Sequence, residues 1–355
     1  MSSFLKFLIR RLIFMALTFI VITAVLYGVM MLAPPEARAA LYLPRGGQSS
    51  SLNQLNTIIQ EYGLDDPYPV QYTRWLVNIV QGDWGWSPAL RDYVLHALLR
   101  RTPVTAELTL WSVLLFIPLG IVSGAVAAWQ RGRIVDHSFR VSAFIATSIP
   151  PFVLGLMLLA IFYVGLRWFP MGRLSLPNDL LVKSPAFKTC TGLLTIDGLL
   201  NSRPDISVDA LRHLVLPVFT LSLTHWATLG RVTRAAMFEE MGKDYITTAR
   251  GKGLSQRKTV WRHALHNAML PALSSSALSA ASLVTGVFVV EVIFSLPGVS
   301  EPLGASTVYY GILMPDIPAT MGFAVYGVLL VLPLMLILDV IQSFIDPRVR
   351  GGGLV

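Results

Sequence analysis

Apolar positions along the chain gather into about six blocks of twenty or so residues, separated by polar segments of very unequal length. About 20 helical residues span the hydrocarbon core of a bilayer. The blocks therefore predict transmembrane helices over Leu12 to Ala33, Val104 to Trp129, Val141 to Trp168, His213 to Met237, Pro271 to Phe294 and Pro318 to Gln342. The fourth is the least apolar. It carries His213 and His225, while Arg231 and Arg234 sit at its inner end, from which long cationic side chains reach the headgroups. The expected fold is all-α, that of a polytopic membrane protein.

Charge divides the connecting segments. Lys6, Arg10 and Arg11 flank the start of the first block, Arg131, Arg133 and Arg140 lie between the second and third, a run from Lys243 to Arg262 joins the fourth and fifth, and Arg348 and Arg350 follow the sixth. Threading the spans in order places all these groups on one side, which the positive-inside rule makes the cytoplasm, with both termini in it. The expected division is an N-terminal segment and first helix over 1–33, an extracytoplasmic subdomain over 34–103, a transmembrane core over 104–342 with a cytoplasmic loop at 238–270, and a cytoplasmic tail over 343–355. Tyr62, Tyr68, Tyr72, Trp75, Trp84 and Trp86 make the first outer segment too aromatic for a solvated linker. It reads as a small packed unit that either helps receive an outer partner, or only shields the outer mouth or packs on a neighbouring subunit. In the second outer segment, Phe169 to Arg212, Asp179, Asp197, Asp205 and Asp209 offset the basic residues.

Composition agrees with a bilayer solvent. Of 355 residues 54% are hydrophobic and 14% charged, with mean hydropathy +0.61, outside the range of soluble domains. On so apolar a chain, a net charge of +8 is assigned to the positive-inside bias and anionic headgroups, with no nucleic-acid partner. The lone Cys190 forms no internal disulfide, and His263 and His266 lack an acidic or thiol companion, so no metal site is expected. Ala37-Arg38-Ala39 imitates a signal-peptide cleavage site, but the preceding apolar run is too long and Pro34-Pro35 intervenes, so the first span is read as retained. Gly304-Ala305-Ser306 lies outside the spans with no base at a recognisable spacing, which argues against a membrane hydrolase.

The segment Asp244 to Pro271 carries the most specific pattern. Gly251 and Gly253 stand where a helix is expected to stop, because glycine tolerates the left-handed conformation of a helix end. Ser255 is placed to cap a second helix. In that helix Trp261, Ala264, Leu265 and Ala268 fall at i, i+3, i+4 and i+7, with Arg257, Lys258, Arg262, His263, His266 and Asn267 on other faces, the pattern of an amphipathic docking element.

This segment resembles the EAA-type loop of ATP-binding-cassette importer permeases, in the form of the dipeptide, oligopeptide and nickel branch and its first-permease, B-type subunit. The residues that match are Asp244, Tyr245, Thr248, Ala249, Arg250, Lys252, Gly253, Leu254, Arg262, His263, Ala264, Leu265, Asn267, Ala268 and Pro271; Gly251 replaces a usual Ala, and His266 a common Arg. The likeness extends along the chain through Arg10-Arg11-Leu12, Tyr62 to Pro67, Gly82-Asp83-Trp84-Gly85, Thr102-Pro103-Val104, Glu107 to Leu110, His213 to Pro217, Glu291 to Phe294, Pro297-Gly298 and Asp346 to Arg350. Gln342 and Ser300-Glu301 depart from it.

The resemblance implies a type I importer permease fold in a prokaryotic inner membrane and a non-catalytic subunit that forms half of an alternating-access pathway. It implies as partners a second homologous permease in a heterodimer, two ATPase subunits holding ATP and Mg, and an extracytoplasmic substrate-binding protein. This chain would bind no cofactor, and its lack of a G-x-x-x-x-G-K-[ST] loop agrees. The implied ATPase-coupling residues are Asp244, Tyr245, Thr248, Ala249, Arg250, Gly251, Lys252, Gly253, Leu254, Arg262, His263, Ala264 and Asn267. Peptides lead as cargo, with nickel chelates and oligosaccharides behind.

Candidates for the pathway or a gate are His225 within the fourth span, the small polar face Ser275, Ser279 and Ser282, and Glu291 near the outer end of the fifth, where pairing with a neighbouring chain is the plainer role. Asp339 and Asp346 are expected to anchor the C-terminus through Arg348 or Arg350. An ATP-independent secondary carrier is the alternative; it would show coupling carboxylates inside spans or discontinuous helices, which the sequence does not display. Topology is directly testable. In a Cys190→Ser background, Ser50→Cys and Asn201→Cys should react with an impermeant thiol reagent in intact cells and Ser255→Cys should not; labelling at 255 reverses the orientation.

Overall fold

The computed structural model describes residues 3–39, 52–87, 90–300 and 316–345. Among these, four helices are long and apolar enough to cross a bilayer. They are α1 (Ser3–Met30), α5 (Val94–Trp129), α10 (Pro204–Met241) and α14 (Ile317–Ile345), and the fifth block forms the 29-residue helix α13 (Leu265–Ile293). Short elements fill the connections: α2 (Pro35–Ala39), α3 (Leu52–Tyr62), α4 (Tyr68–Gln81) and the two-residue strands β1 (Trp86–Ser87) and β2 (Asp92–Tyr93) before α5, then α8 (Leu176–Val182) and α9 (Leu194–Leu200) before α10.

The third block departs from expectation. Instead of one helix over Val141 to Trp168 there are two pieces, α6 (Ile134–Ser148) and α7 (Pro151–Leu158), the second continued by π-type turns over Leu159–Gly165, and the pair is bent by 99°. The cause is local: Pro150 and Pro151 each bar the preceding residue from the α conformation, leaving Ile149 at φ −94, ψ 119 and Pro150 at φ −56, ψ 138. The Leu166 amide donates to Ile161, five residues back, at 2.9 Å. Pro150-Pro151 was the readable signal for this break, which apolar content alone hid.

Two compact units are present, one built mainly on Thr102–Gly298 and the other mainly on Ile9–Arg101 and Val299–Leu332. In the first, α10 is the axis. Gly120 and Gly124 on α5 meet Gly230 on α10: a Cβ on Gly124 would run into the Gly230 carbonyl oxygen, and one on Gly230 would lie 2.7 Å from the Phe139 ring. The Gly-x-x-x-Gly spacing gives backbones close approach where lipid offers no hydrophobic drive between helices. Ser222 Oγ donates to the Ser112 carbonyl at 3.2 Å and Trp226 Nε1 to Ser123 Oγ at 3.0 Å across the same contact.

Acidic side chains join the elements. Arg234 does not snorkel as expected: its Nε and Nη2 donate to the two oxygens of buried Asp136 at 2.6 and 2.9 Å, tying the first turn of α6 to α10. Glu107 on α5 is buried and accepts from the Thr195 amide and hydroxyl, each at 2.7 Å, with Arg173 at 3.2 Å. Asp197 accepts from the amides of Thr191 and Gly192, and Asp209 from the amide and hydroxyl of Ser175 and from Asn178. Two of the carboxylates expected only to offset charge are thus acceptors that shape the segment between Phe169 and Arg212.

In the other unit α4 lies along α1. Tyr68 donates to the Ala24 carbonyl at 2.6 Å, the Tyr72 and Thr23 hydroxyls are 3.0 Å apart, and the Tyr27 ring packs on Trp75. Buried Arg38 donates to Gln71 and to the Leu64 carbonyl, both at 2.8 Å. Trp84 is buried edge-on to Tyr326, whereas Trp86, paired with Tyr93 across the β1–β2 register, is half exposed. The aromatic content is therefore internal packing for most of these residues. Gly124→Ala should destabilise the purified protein by about 1–3 kcal/mol through overpacking. Gly327→Ala, whose Cβ meets nothing within 4 Å, should be neutral or mildly stabilising. Thermal unfolding in detergent compares them, and equal melting temperatures would remove the close crossing.

Candidate functional site

The basic segment leaves α10 through a short turn. Lys243 Nζ donates to Glu240 at 2.6 Å and the Tyr245 hydroxyl donates to the same carboxylate at 2.7 Å. Asn267 reaches that hydroxyl from the start of α13, so two motif residues far apart in sequence meet. Burial, with the Glu240 carboxylate beside it, raises the Tyr245 phenol above its ordinary range and keeps it a donor. The salt bridge to Glu240 likewise holds the Lys243 ammonium above its usual value.

From this brace runs α11 (Asp244–Gly251), whose end explains much of the motif. The Leu254 amide donates to the Ala249 carbonyl at 3.2 Å and the Gly253 amide to Arg250 at 2.9 Å, a Schellman stop with Gly253 at φ +80 in the left-handed region. Ser255 then caps α12 (Gln256–Lys258), its Oγ accepting from the Lys258 amide at 3.4 Å. A π-type stretch, Thr259–Ala264, carries the chain into α13. Such wide turns free a carbonyl and often occur at functional positions.

The apolar stripe expected to dock elsewhere is used within the chain. Ile246, Ala249, Val260, Ala264 and Ala268 are buried together with Met237, Ala125 and Ala128, flanked by Tyr245, Trp261 and Leu265. The small residues let α11 and the π-type stretch lie close to the ends of α5 and α10. What remains outside is polar: Asp244, Thr248, Arg250, Gly251, Lys252, Gly253, Arg262 and Asn267 are exposed, Leu254 and His263 half-buried. Within the expected coupling set, Ala249 and Ala264 support the turn and the cationic residues present it.

The pathway candidates are dispersed by comparison. His225 is half-buried on α10 with its ring 5.6 Å from that of Phe116. Ser279 is buried while Ser282 is exposed and donates to the Ser279 carbonyl at 2.9 Å; Ser275 is intermediate, so the three do not form one open face. Glu291 is fully buried inside this chain, accepting from Thr105 Oγ1 at 2.5 Å where Gly298 leaves room for its carboxylate. Pairing with a neighbouring chain is thereby replaced by a contact to α5. Buried carboxylates inside spans and a discontinuous helix, both read as lacking in the sequence, are thus present. Gly304 to Ser306, Asp346, Arg348 and Arg350 lie outside the described residues. The Asp136–Arg234 pair and the Gly120, Gly124 and Gly230 crossing went unread. The first had no local signal, and the second had one in its four-residue spacing.

Several long apolar helices, with a charged turn braced on the ends of α5 and α10, define a polytopic α-helical membrane protein. Residues 117–351 match the family of binding-protein-dependent transport system inner membrane components, and residues 4–109 match the N-terminal part of such membrane components. The chain belongs to this family of importer permeases. It is 33% identical over 98% of its length to the di/tripeptide transport system permease protein DppB of Pseudomonas aeruginosa, covering 99% of that protein. It is 36% identical over 86% of its length to the probable D,D-dipeptide transport system permease protein DdpB of Escherichia coli, covering 88%. With the oligopeptide transport system permease protein AppB of Bacillus subtilis it shares 31% identity over 97% of its length and 99% of the relative.

The two glycines of the loop differ in kind. Gly251 is helical with open space around it, whereas Gly253 needs its positive φ. Gly251→Ala should slow amide exchange across residues 244–254, stabilising α11 by up to about 1 kcal/mol. Gly253→Ala should speed it, costing about 1–2 kcal/mol. Hydrogen–deuterium exchange reads both, and the same response from the two variants rules out the Schellman stop.

Proposed function

We propose that this chain is one permease subunit of an ATP-driven peptide importer and lines half of its alternating-access pathway. The observation that carries the reading is the short exposed helix α11, with its basic continuation, held on the chain's own core by Ala249 and Ala264. A turn so braced transmits displacement instead of absorbing it. ATP and Mg reside on two separate ATPase subunits, whose closure moves the loop over residues 238–270. The other exposed motif residues touch the ATPase, and Tyr245, Asn267 and the buried alanines position them. A second homologous permease completes the pathway as a heterodimer, and both termini face the cytoplasm. Residues 34–103 contribute an outer cap, on which the exposed Trp86 and Tyr93 offer the face for a substrate-binding protein while Trp84 serves packing.

Peptide as cargo is supported by the relatives, whose names specify di/tripeptides, D,D-dipeptides and oligopeptides. The bent α6–α7 pair and the buried Glu107 and Glu291 favour the second reading, a secondary carrier working without ATP. Both carboxylates already have partners within the chain, and a loop braced for docking has no task in that mechanism. Reversing Arg257, Lys258 and Arg262 to Glu should leave insertion intact yet weaken ATPase retention by roughly tenfold or more, since like-charge juxtaposition costs several kcal/mol. ATPase co-purification and peptide uptake are measured together in membranes. Undiminished uptake removes the coupling role, and uptake by this chain without any ATPase establishes the carrier.

A further inference from the structure

One face of α6 is unaccounted for by the loop, the brace or the core. Arg133, His137 and Arg140 recur at i, i+4 and i+7 and are all exposed, and among the described residues none makes an ion pair or side-chain hydrogen bond. The acidic residue on the same turns, Asp136, points the other way and is committed to Arg234 and the Gly132 amide; Arg140 interacts with it only through space. Further along the helix, on and beside the same face, exposure continues with apolar side chains: Val141 is 59% exposed, Phe144 69% and Ile145 52%. Phe139, Ala143 and Ala146, on the remaining side, pack into the core. The face thus changes from cationic to hydrocarbon-like within two turns, along the helix that leads away from the Arg131-Gly132-Arg133 turn.

We propose that this face is a binding site for an anionic phospholipid, its phosphate held by Arg133 and Arg140 with His137 between them, and an acyl chain laid along Val141, Phe144 and Ile145. Charge complementarity selects the headgroup. Seven helical residues rise about 10 Å, while the headgroup layer on one side of a bilayer is roughly 5–8 Å thick; the Arg140 guanidinium closes that difference by snorkelling outward. The apolar continuation selects a lipid over the acidic surface of a soluble subunit, which would leave Val141 and Phe144 in water. The inference needs only that the chain is embedded in a membrane, and stands apart from the coupling role of the loop.

The test uses the intact importer complex, purified in mild detergent with either phosphatidylglycerol or phosphatidylcholine, and counts retained lipid by native mass spectrometry. The wild type should hold phosphatidylglycerol preferentially. Arg133→Gln with Arg140→Gln should weaken retention by roughly 25-fold, about fivefold for each arginine from about 1 kcal/mol per charge near an anionic surface. Arg133→Lys with Arg140→Lys should restore most of it, showing that a loss in the glutamine variant is not misfolding. ATPase stoichiometry, which reports on the loop, should stay unchanged throughout. Equal retention of the two lipids by the wild type, or retention unaffected by the glutamine pair, overturns the site. Loss of the ATPase from the glutamine variant with lipid retention intact also overturns it, and assigns the face to protein contact.

Discussion

Close backbone approach between α5 and α10 is the constraint on which the core depends. Where lipid surrounds the helices, side-chain burial gives little net attraction, and proximity itself supplies dispersion and polar contacts. Gly120, Gly124 and Gly230 permit that proximity, and the Ser112–Ser222 and Ser123–Trp226 hydrogen bonds are reachable only because of it. The Asp136–Arg234 pair then sets rotation, since a bidentate contact between a guanidinium and a carboxylate fixes an orientation as well as a distance. Met237, three residues beyond Arg234, lies directly under the loop helix in the cluster that holds Ala249 and Ala264. Core geometry and loop position are therefore set by one helix.

This arrangement divides the motif residues into those that face inward and those that face outward. Ala249 and Ala264 could not be larger without lifting α11 from its bed, and Gly253 could not be another residue without straining the stop. The cations have no such steric limit. They stand on a surface whose backbone is already fixed by the packing beneath it.

Much of this was legible in residue order. Apolar blocks located the long helices, and Ser255 and Gly253 announced a cap and a stop through chemistry confined to a few residues. The failures were contacts between distant positions. Asp136 and Arg234 are 98 residues apart, and Glu107 and Thr195 are 88 apart, so no window of sequence contains either pair. The amphipathic period around Trp261 marks a face that the chain covers with its own core, because periodicity states that a side is apolar and says nothing of what covers it. The prolines at 150 and 151 were a different failure: hydropathy averaging over Val141 to Trp168 suppressed a signal two residues wide.

That break bears on how α6 is held. α6 is 15 residues long, about 22 Å of helix, short of the roughly 30 Å hydrocarbon thickness, and the bend prevents α7 from extending it in line. Neither piece alone is long enough to cross the hydrocarbon layer, whereas α5 before them and α10 after them are. Phe139, Ala143 and Ala146 pack instead with Ala227, Leu223 and Trp226 of α10, so protein contact supplies what length does not. The bend thus exchanges spanning length for packing: α6 is held by its neighbour, where α5 and α10 are long enough to be held by the bilayer itself.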